Sequence, residues 1–269
     1  MKKIAIIGAG NMGGAIFEAL HDSRFHHELY LADIDFKKLQ LLAQKISLND
    51  FEKKFSTSPI EVIKKSEIII LAIKPQIFEK FAQSIKIDVS QKTFISIMAG
   101  VKIDKIKQNL SSQKIIRTMP NLPAQAKKGL TGFFSSKEIS LPEKKIIIEI
   151  LETFSQVVEV KAENFLDKIT ALSGSGPAYF FHLTKVLYQK ALDFGFDQLN
   201  AKKIAESTFI GSATILKNNQ LSAQEWEKAV CSKGGTTEKA LEFLAENNFD
   251  QIFQKAIEKA KDRSEQLSA

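Results

Sequence analysis

With 269 residues, 44% of them hydrophobic, the chain has the length of about two domains and enough apolar side chains for a core in each. Its formal charge of +7 comes from 38 Lys and Arg against 31 Asp and Glu, dispersed among one another as on solvated helix faces, and this excludes a nucleic-acid-reading stripe. No run of about 18 apolar residues is present to span a membrane, no signal-peptide pattern opens the chain, and a lone cysteine, Cys231, excludes a disulfide framework and fits a reducing cytoplasm.

From the N-terminus to about residue 160, strand-like runs alternate with amphipathic stretches, the pattern of a parallel α/β sheet. The first run, Lys2–Ile7, meets Gly8-Ala9-Gly10-Asn11-Met12-Gly13, and a helical pattern follows over Asn11–His21. Gly8 permits a tight turn, Gly10 lets the backbone approach a pyrophosphate, and Gly13 lets helix and strand pack closely. The helix start offers N–H groups and a positive dipole end to phosphates. A second strand, Glu28–Ala32, ends at Asp33, twenty residues after Gly13, where an acid accepts hydrogen bonds from an adenosine ribose and repels a 2′-phosphate. Asp33 therefore leans toward NADH, and Lys37 and Lys38 soften that repulsion.

Further strands are expected at Ile68–Ile73, Thr93–Ile97, Lys114–Thr118, Gly129–Phe134 and Val157–Val160, with helices at Phe36–Ile46, Gln76–Ile85 and Glu143–Phe154. Ala72-Ile73-Lys74-Pro75 and the small residues Ala99 and Gly100 end two of these strands where a nicotinamide ring would pass. Lys74 reads equally well as a cofactor contact and as a loop lysine before a proline turn. The expected architecture is a Rossmann-type doubly wound sheet over 1–160, followed by an all-helical substrate and dimerisation domain over 161–269.

In that second half the helical stretches are Phe165–Phe194, Asn200–Asn218, Ala223–Ala229, Glu238–Asn247 and Asp250–Leu267. The first is overlong and apolar on several faces through Leu172, Phe180, Phe181, Leu183, Val186 and Leu187, so a second subunit is expected against it. Ser232-Lys233-Gly234-Gly235-Thr236-Thr237 precedes a helix start. Its backbone N–H groups form a cradle for a small anion, or its threonines simply cap the helix.

These motifs, with Ser96–Gly100, Arg117-Thr118-Met119-Pro120-Asn121 and Ala171-Leu172-Ser173-Gly174-Ser175-Gly176-Pro177-Ala178-Tyr179, follow one another in an order that resembles the pyrroline-5-carboxylate reductases over essentially the whole chain. The resemblance implies NADPH- or NADH-dependent reduction of the cyclic imine 1-pyrroline-5-carboxylate to L-proline, and a homodimer or larger ring built through the helical domain. It implies Thr237 as the group at the ring nitrogen, with Glu163, Ser175, Gly234, Gly235 and Thr236 around the substrate. Glu163 also reads as a plain first-turn carboxylate, and Ser173–Pro177 as close helix packing. The chain departs from the family pattern at Lys233, where proline is usual, at Ala229 and Pro59, where asparagine is frequent, and at Asp33, where NADPH users tend to carry a small hydroxyl residue. Two other readings are a β-hydroxyacid dehydrogenase, disfavoured because Gly176–His182 lacks the lysine such chemistry needs, and a nucleotide-sensing protein, which gives Gly234–Thr237 no role.

Overall fold

The computed structural model describes residues 1–218 and 220–268. The chain divides into two compact units, Met1–Ser175 together with the chain from Ala260 onward, and Gly176–Lys259. The first unit carries β1 (Lys2–Ile7), β2 (His27–Ala32), β3 (Phe55–Ser56), β4 (Ile68–Leu71), β5 (Thr93–Ser96), β6 (Ile115–Met119), β7 (Gly129–Ser135) and β8 (Ser155–Glu159) in one sheet of order 3-2-1-4-5-6-7-8. Its helices are α1 (Asn11–His21), α2 (Phe36–Lys45), α3 (Phe51–Lys54), α4 (Pro59–Lys65), α5 (Phe78–Ser84), α6 (Ile103–Leu110), α7 (Leu141–Glu152) and α8 (Phe165–Ile169).

Strand periodicity builds a core on each face of the sheet. Ile4, Ile6, Leu29, Leu31, Ile68 and Ile70 pack with Ile16, Phe17 and Leu20 of α1 and Ile147, Ile150 and Leu151 of α7. Alternate residues Ala5, Ile7, Ile69, Leu71 and Phe94 pack with Val62 and Ile63 of α4, Phe78 of α5 and Ile103 and Ile106 of α6. Because both faces are covered, the central strands read as continuous apolar runs. The chain order reverses at β1 and β4, which opens a crevice at their carboxyl ends.

Three expectations need correction. The sheet is not wholly parallel, since β7 runs antiparallel to β6 with Met119 opposite Gly132. Only residues 120–128 join the two strands, too few for the crossover of a dozen or more residues that parallel neighbours need. The two-residue strand β3 has no period to read and was not anticipated. Finally, Phe165–Phe194 is not one helix. After α8 the chain widens into a π-turn at Thr170–Gly174, where the Ser175 N–H donates to the Thr170 carbonyl at 2.8 Å, and a new helix begins at Gly176. Pro177 explains the break, because its ring lacks an N–H and displaces the carbonyl one turn back.

The second unit contains α9 (Gly176–Asp193), α10 (Gln198–Asn218), α11 (Ala223–Ala229), α12 (Thr236–Glu246) and the start of α13 (Phe249–Ser268), whose last turns belong to the first unit. Among the described residues its buried apolar side chains are Ala191, Ala201 and Ala205. Phe181 is 57% exposed, Ile210 61% and Phe243 65%. Alanines alone supply little hydrophobic stabilisation, so this unit lacks a core of its own within one chain.

Candidate active site

The first βα corner is shaped by close backbone contact. Gly8 has φ +108°, and a Cβ there would lie 2.5 Å from the Ala72 carbonyl oxygen. A Cβ on Gly13 would lie 2.0 Å from the Gly8 carbonyl oxygen. Gly10 is different: it is exposed, and a Cβ on it meets nothing within 4 Å among the described residues. Gly8 and Gly13 are thus demanded by the fold of the corner, and Gly10 by whatever approaches it. Gly10 is the N-cap of α1 and offers no side chain to its first amides, so exposed Asn11 and half-buried Met12 present N–H groups to the crevice.

Asp33 holds this corner together. One carboxylate oxygen accepts the Ala9 N–H at 2.7 Å and the other accepts the Asp35 N–H at 2.8 Å. The half-buried carboxylate thereby ties the glycine loop to the start of α2, where Asp35 caps the Lys37 N–H at 3.0 Å. Lys38 and Lys45 of α2 border a cleft of about 340 Å³ with Ala9, Gly10 and Asn11. The corner therefore fits a dinucleotide: an open helix N-terminus for the pyrophosphate and an acid placed for the ribose.

On the other side of the crevice the Ala72 N–H donates to the Ile7 carbonyl at 2.8 Å, which seats the turn after β4 beside the glycine loop. Lys74 is exposed and precedes a 3₁₀ turn at Pro75–Ile77. After β5, Met98 is anchored through its N–H to the Ser96 hydroxyl at 3.2 Å, Ala99 is exposed, and Gly100 has φ +75°. A Cβ on Gly100 would lie 2.4 Å from the Leu267 carbonyl oxygen, so this glycine is required by the C-terminal turn of α13.

Glu163 is held through one of its two carboxylate oxygens. Its Oε1 accepts the Ile103 N–H at 2.9 Å, at the start of α6, and Nη1 of Arg117 at 3.1 Å. Arg117, on β6, is only 1% exposed, and its Nη2 lies 3.4 Å from the Ser268 hydroxyl and 4.0 Å from Asp167 Oδ1. The Ser264 and Ser268 hydroxyls donate to that same Asp167 oxygen at 2.7 and 2.9 Å. In the sequence Arg117 stands within a motif that assigns it no role. Its signal was a rare arginine inside the apolar strand run Ile115-Ile116-Arg117. Asn121 was likewise missed: it donates to the Ser173 hydroxyl at 3.0 Å and accepts the Leu130 N–H at 2.9 Å, fixing the π-turn that leads to half-buried Ser175.

In the helical unit, Gly234 has φ +73°, and Gly235 is the N-cap of α12. Two of the four amides expected to cradle an anion are already engaged. The Gly234 N–H donates to Glu238 Oε2 at 2.6 Å, and the Gly235 N–H to the Ser232 carbonyl at 2.9 Å. Thr236 and Thr237 are the first two residues of the helix, where amides have no carbonyl one turn back, and among the described residues no side chain caps them. Neither threonine occupies the cap position itself, so helix capping does not account for them.

Comparison with known proteins agrees with both halves. Residues 163–267 match the family model described as pyrroline-5-carboxylate reductase dimerisation, and residues 3–100 match the one described as NADP oxidoreductase coenzyme F420-dependent. A curated pyrroline-5-carboxylate reductase from Pasteurella multocida is 33% identical over 270 residues, covering 99% of this chain and 98% of that protein. The solved pyrroline-5-carboxylate reductase of Coxiella burnetii superimposes with a TM-score of 0.89 at 27% identity, covering 100% of this chain and 99% of that one. The Plasmodium falciparum pyrroline carboxylate reductase, solved with NADP bound, gives 0.84 at 26% identity, covering 100% and 98%. A glycine corner that fits a dinucleotide, a match to the dimerisation model and identity sustained from end to end lead to one conclusion: this chain belongs to the pyrroline-5-carboxylate reductases, a family of nicotinamide-dependent oxidoreductases.

Proposed function

We propose that this reductase takes 1-pyrroline-5-carboxylate by its carboxylate at the start of α12 and converts it to L-proline, the last step of proline synthesis. The observation that carries the reading is the uncapped amide pair of Thr236 and Thr237, which meets an anion with N–H donors and the positive end of a helix dipole. The substrate's reactive form is an iminium. Hydride adds to its carbon, the C=N pair passes to nitrogen, and the neutral amine then takes up a proton. When bound, the reduced nicotinamide supplies the hydride.

Hydride arrival discharges the cation, so the chain contributes placement more than a strong base. In this reading the Thr237 hydroxyl partners the ring nitrogen, and Glu163 and Ser175 lie around the substrate. Gly10, Asn11 and Met12 meet the pyrophosphate on a corner that buried Gly8 and Gly13 shape, with Asp33 on the ribose. Ala72, Lys74, Pro75, Ala99 and Gly100 line the nicotinamide half. The Asp33 carboxylate favours NADH, because a 2′-phosphate would approach a negative group already fixed by two backbone amides. A second copy of the chain covers the exposed apolar faces of α9 and α10, a homodimer supported by the dimerisation match. No helix among the described residues is long and apolar enough to cross a membrane, and the lone Cys231 supports a cytoplasmic setting.

The test is consumption of NADH and NADPH on addition of the cyclic imine, beside hydroxyacids as controls. Oxidation with the imine alone supports the reading, and turnover of hydroxyacids instead would refute it. Replacing Asp33 with serine is expected to move the ratio of specificity constants toward NADPH and to weaken both coenzymes, since the corner loses its clamp. An unmoved ratio would remove Asp33 from coenzyme choice.

A further inference from the structure

The last turns of α13 fold back into the nucleotide-binding unit, and their contacts fall on segments assigned above to cofactor and substrate. The Leu267 carbonyl closes over Gly100, leaving no room for a side chain there. Ser264 and Ser268 donate to Asp167, and Ser268 also meets Arg117. Arg117 reaches Glu163 through Nη1, on the same oxygen that accepts the Ile103 N–H. One set of contacts therefore runs from the C-terminal turn to Gly100 and to Ile103, at the start of the helix that follows the Ala99–Gly100 loop.

We propose that the Ser264–Ser268 turn is a positioning element for the Ala99–Gly100 loop and for Glu163, with Arg117 as its hub. The proposal rests on reading that loop as a nicotinamide contact and Glu163 as a substrate contact. Two carboxylates, half-buried Glu163 and buried Asp167, face one buried guanidinium, and Asp167, 4% exposed, lies too far from Arg117 for a direct hydrogen bond. The serine hydroxyls therefore supply the hydrogen bonds that the Asp167 carboxylate lacks from Arg117, and hydrogen bonds in such a setting weigh more than in water. Exposed Ala99 lies between Met98, whose N–H donates to the Ser96 hydroxyl, and Gly100, against which Leu267 packs. Moving the C-terminal turn frees one of those anchors. Shifting Arg117 also moves Glu163 and the first turn of α6, which follows the loop directly.

The experiment uses the full-length enzyme carrying Ser264→Ala and Ser268→Ala together, with Arg117→Lys and Ala99→Leu alongside. Thermal unfolding is measured for each, with steady-state kinetics at varied coenzyme and varied imine. The double serine variant is expected to raise the coenzyme KM by roughly three- to thirtyfold, the effect of a lost buried hydrogen bond and a displaced contact, with a smaller change in kcat. Arg117→Lys keeps the charge and loses the fork, and is expected to raise the KM for both coenzyme and imine. A lowered Tm with both KM values at wild type would overturn the proposal, because the turn would then be packing alone. Ala99→Leu separates the two layers of inference. If it leaves the coenzyme KM at wild type, the cofactor reading of the loop fails; if it raises that KM and the serine variant does not, only the positioning role fails. Should the double variant not fold, Ser268→Ala by itself carries the same expectation.

Discussion

The two units of this chain satisfy their side chains in opposite ways. The nucleotide-binding unit closes a core on each face of its sheet from residues within the chain, from Ile4 and Ile6 on one face to Ala5 and Ile7 on the other. The helical unit buries alanines and leaves Phe180, Phe181, Val186, Leu187 and Ile210 exposed. The contrast teaches that apolar patterning is complete information only where its partners lie in the same chain. Where a helix is apolar on several faces, the missing partner is another molecule.

Four substitutions break or sharpen that contrast. The largest effect belongs to Thr237→Ala, which leaves both units folded and is expected to lower kcat/KM by roughly ten- to a thousandfold, as for other donors poised at a reacting group. Stopped-flow or steady-state kinetics with the imine measure it, and near-normal turnover would exclude Thr237 from the chemistry. Ile210→Asp places a charge on the exposed face of α10 and is expected to weaken self-association about thirtyfold or more. Sedimentation at micromolar concentration should then show monomer, while the nucleotide-binding unit still takes up coenzyme; an undisturbed dimer would move the interface elsewhere.

A smaller change is expected from Glu238→Gln. Glu238 brings a carboxylate to the Gly234 N–H, beside the amides assigned to the substrate carboxylate. Neutralising it removes a like-charge repulsion and should lower the KM for the imine about fivefold, the size of that repulsion across about 4 Å of water. A raised KM would mean that Glu238 is needed to shape the turn. The smallest effect concerns pH. Partial burial, reinforced by the charges of His21, Lys54 and His26 against a hydrogen bond near Phe25, holds the His27 imidazole below its ordinary pKa. The unfolded chain then binds the proton more readily, so stability declines as the pH falls through about 6.5 toward the folded value. His27→Gln should flatten that part of the Tm–pH curve, and an unaltered slope would assign it to other groups.

Local causes were legible in the sequence and distant ones were not. The bounds of β1, α1 and α11 agree with expectation because glycine and serine punctuation marks them, as in the Ser222–Glu225 capping box before α11. Helix α7 begins at Leu141, ahead of the expected Glu143, because Ser140 and Glu143 form a similar box. The direction of β7 was hidden because an alternating pattern has no polarity; only the short link from β6 encodes it. At the site, the needs of Gly8 and Gly13 were readable from neighbours in one βα corner. The need of Gly100 was not, because its partner is Leu267 at the far end of the chain. Arg117 escaped for the same reason, since its meaning lies in Glu163 before α8, Asp167 on α8 and Ser268 on α13, all remote in sequence. The engagement of the Gly234 amide was equally hidden, because the glycine pattern names donors without saying which are already taken.

The most direct measurement is a crystal structure of the enzyme with L-proline and oxidised coenzyme. The account predicts the product carboxylate within about 3 Å of the Thr236 and Thr237 amide nitrogens, with the ring nitrogen facing the Thr237 hydroxyl. A carboxylate bound to other groups in every subunit, with those two amides turned to solvent, would contradict it.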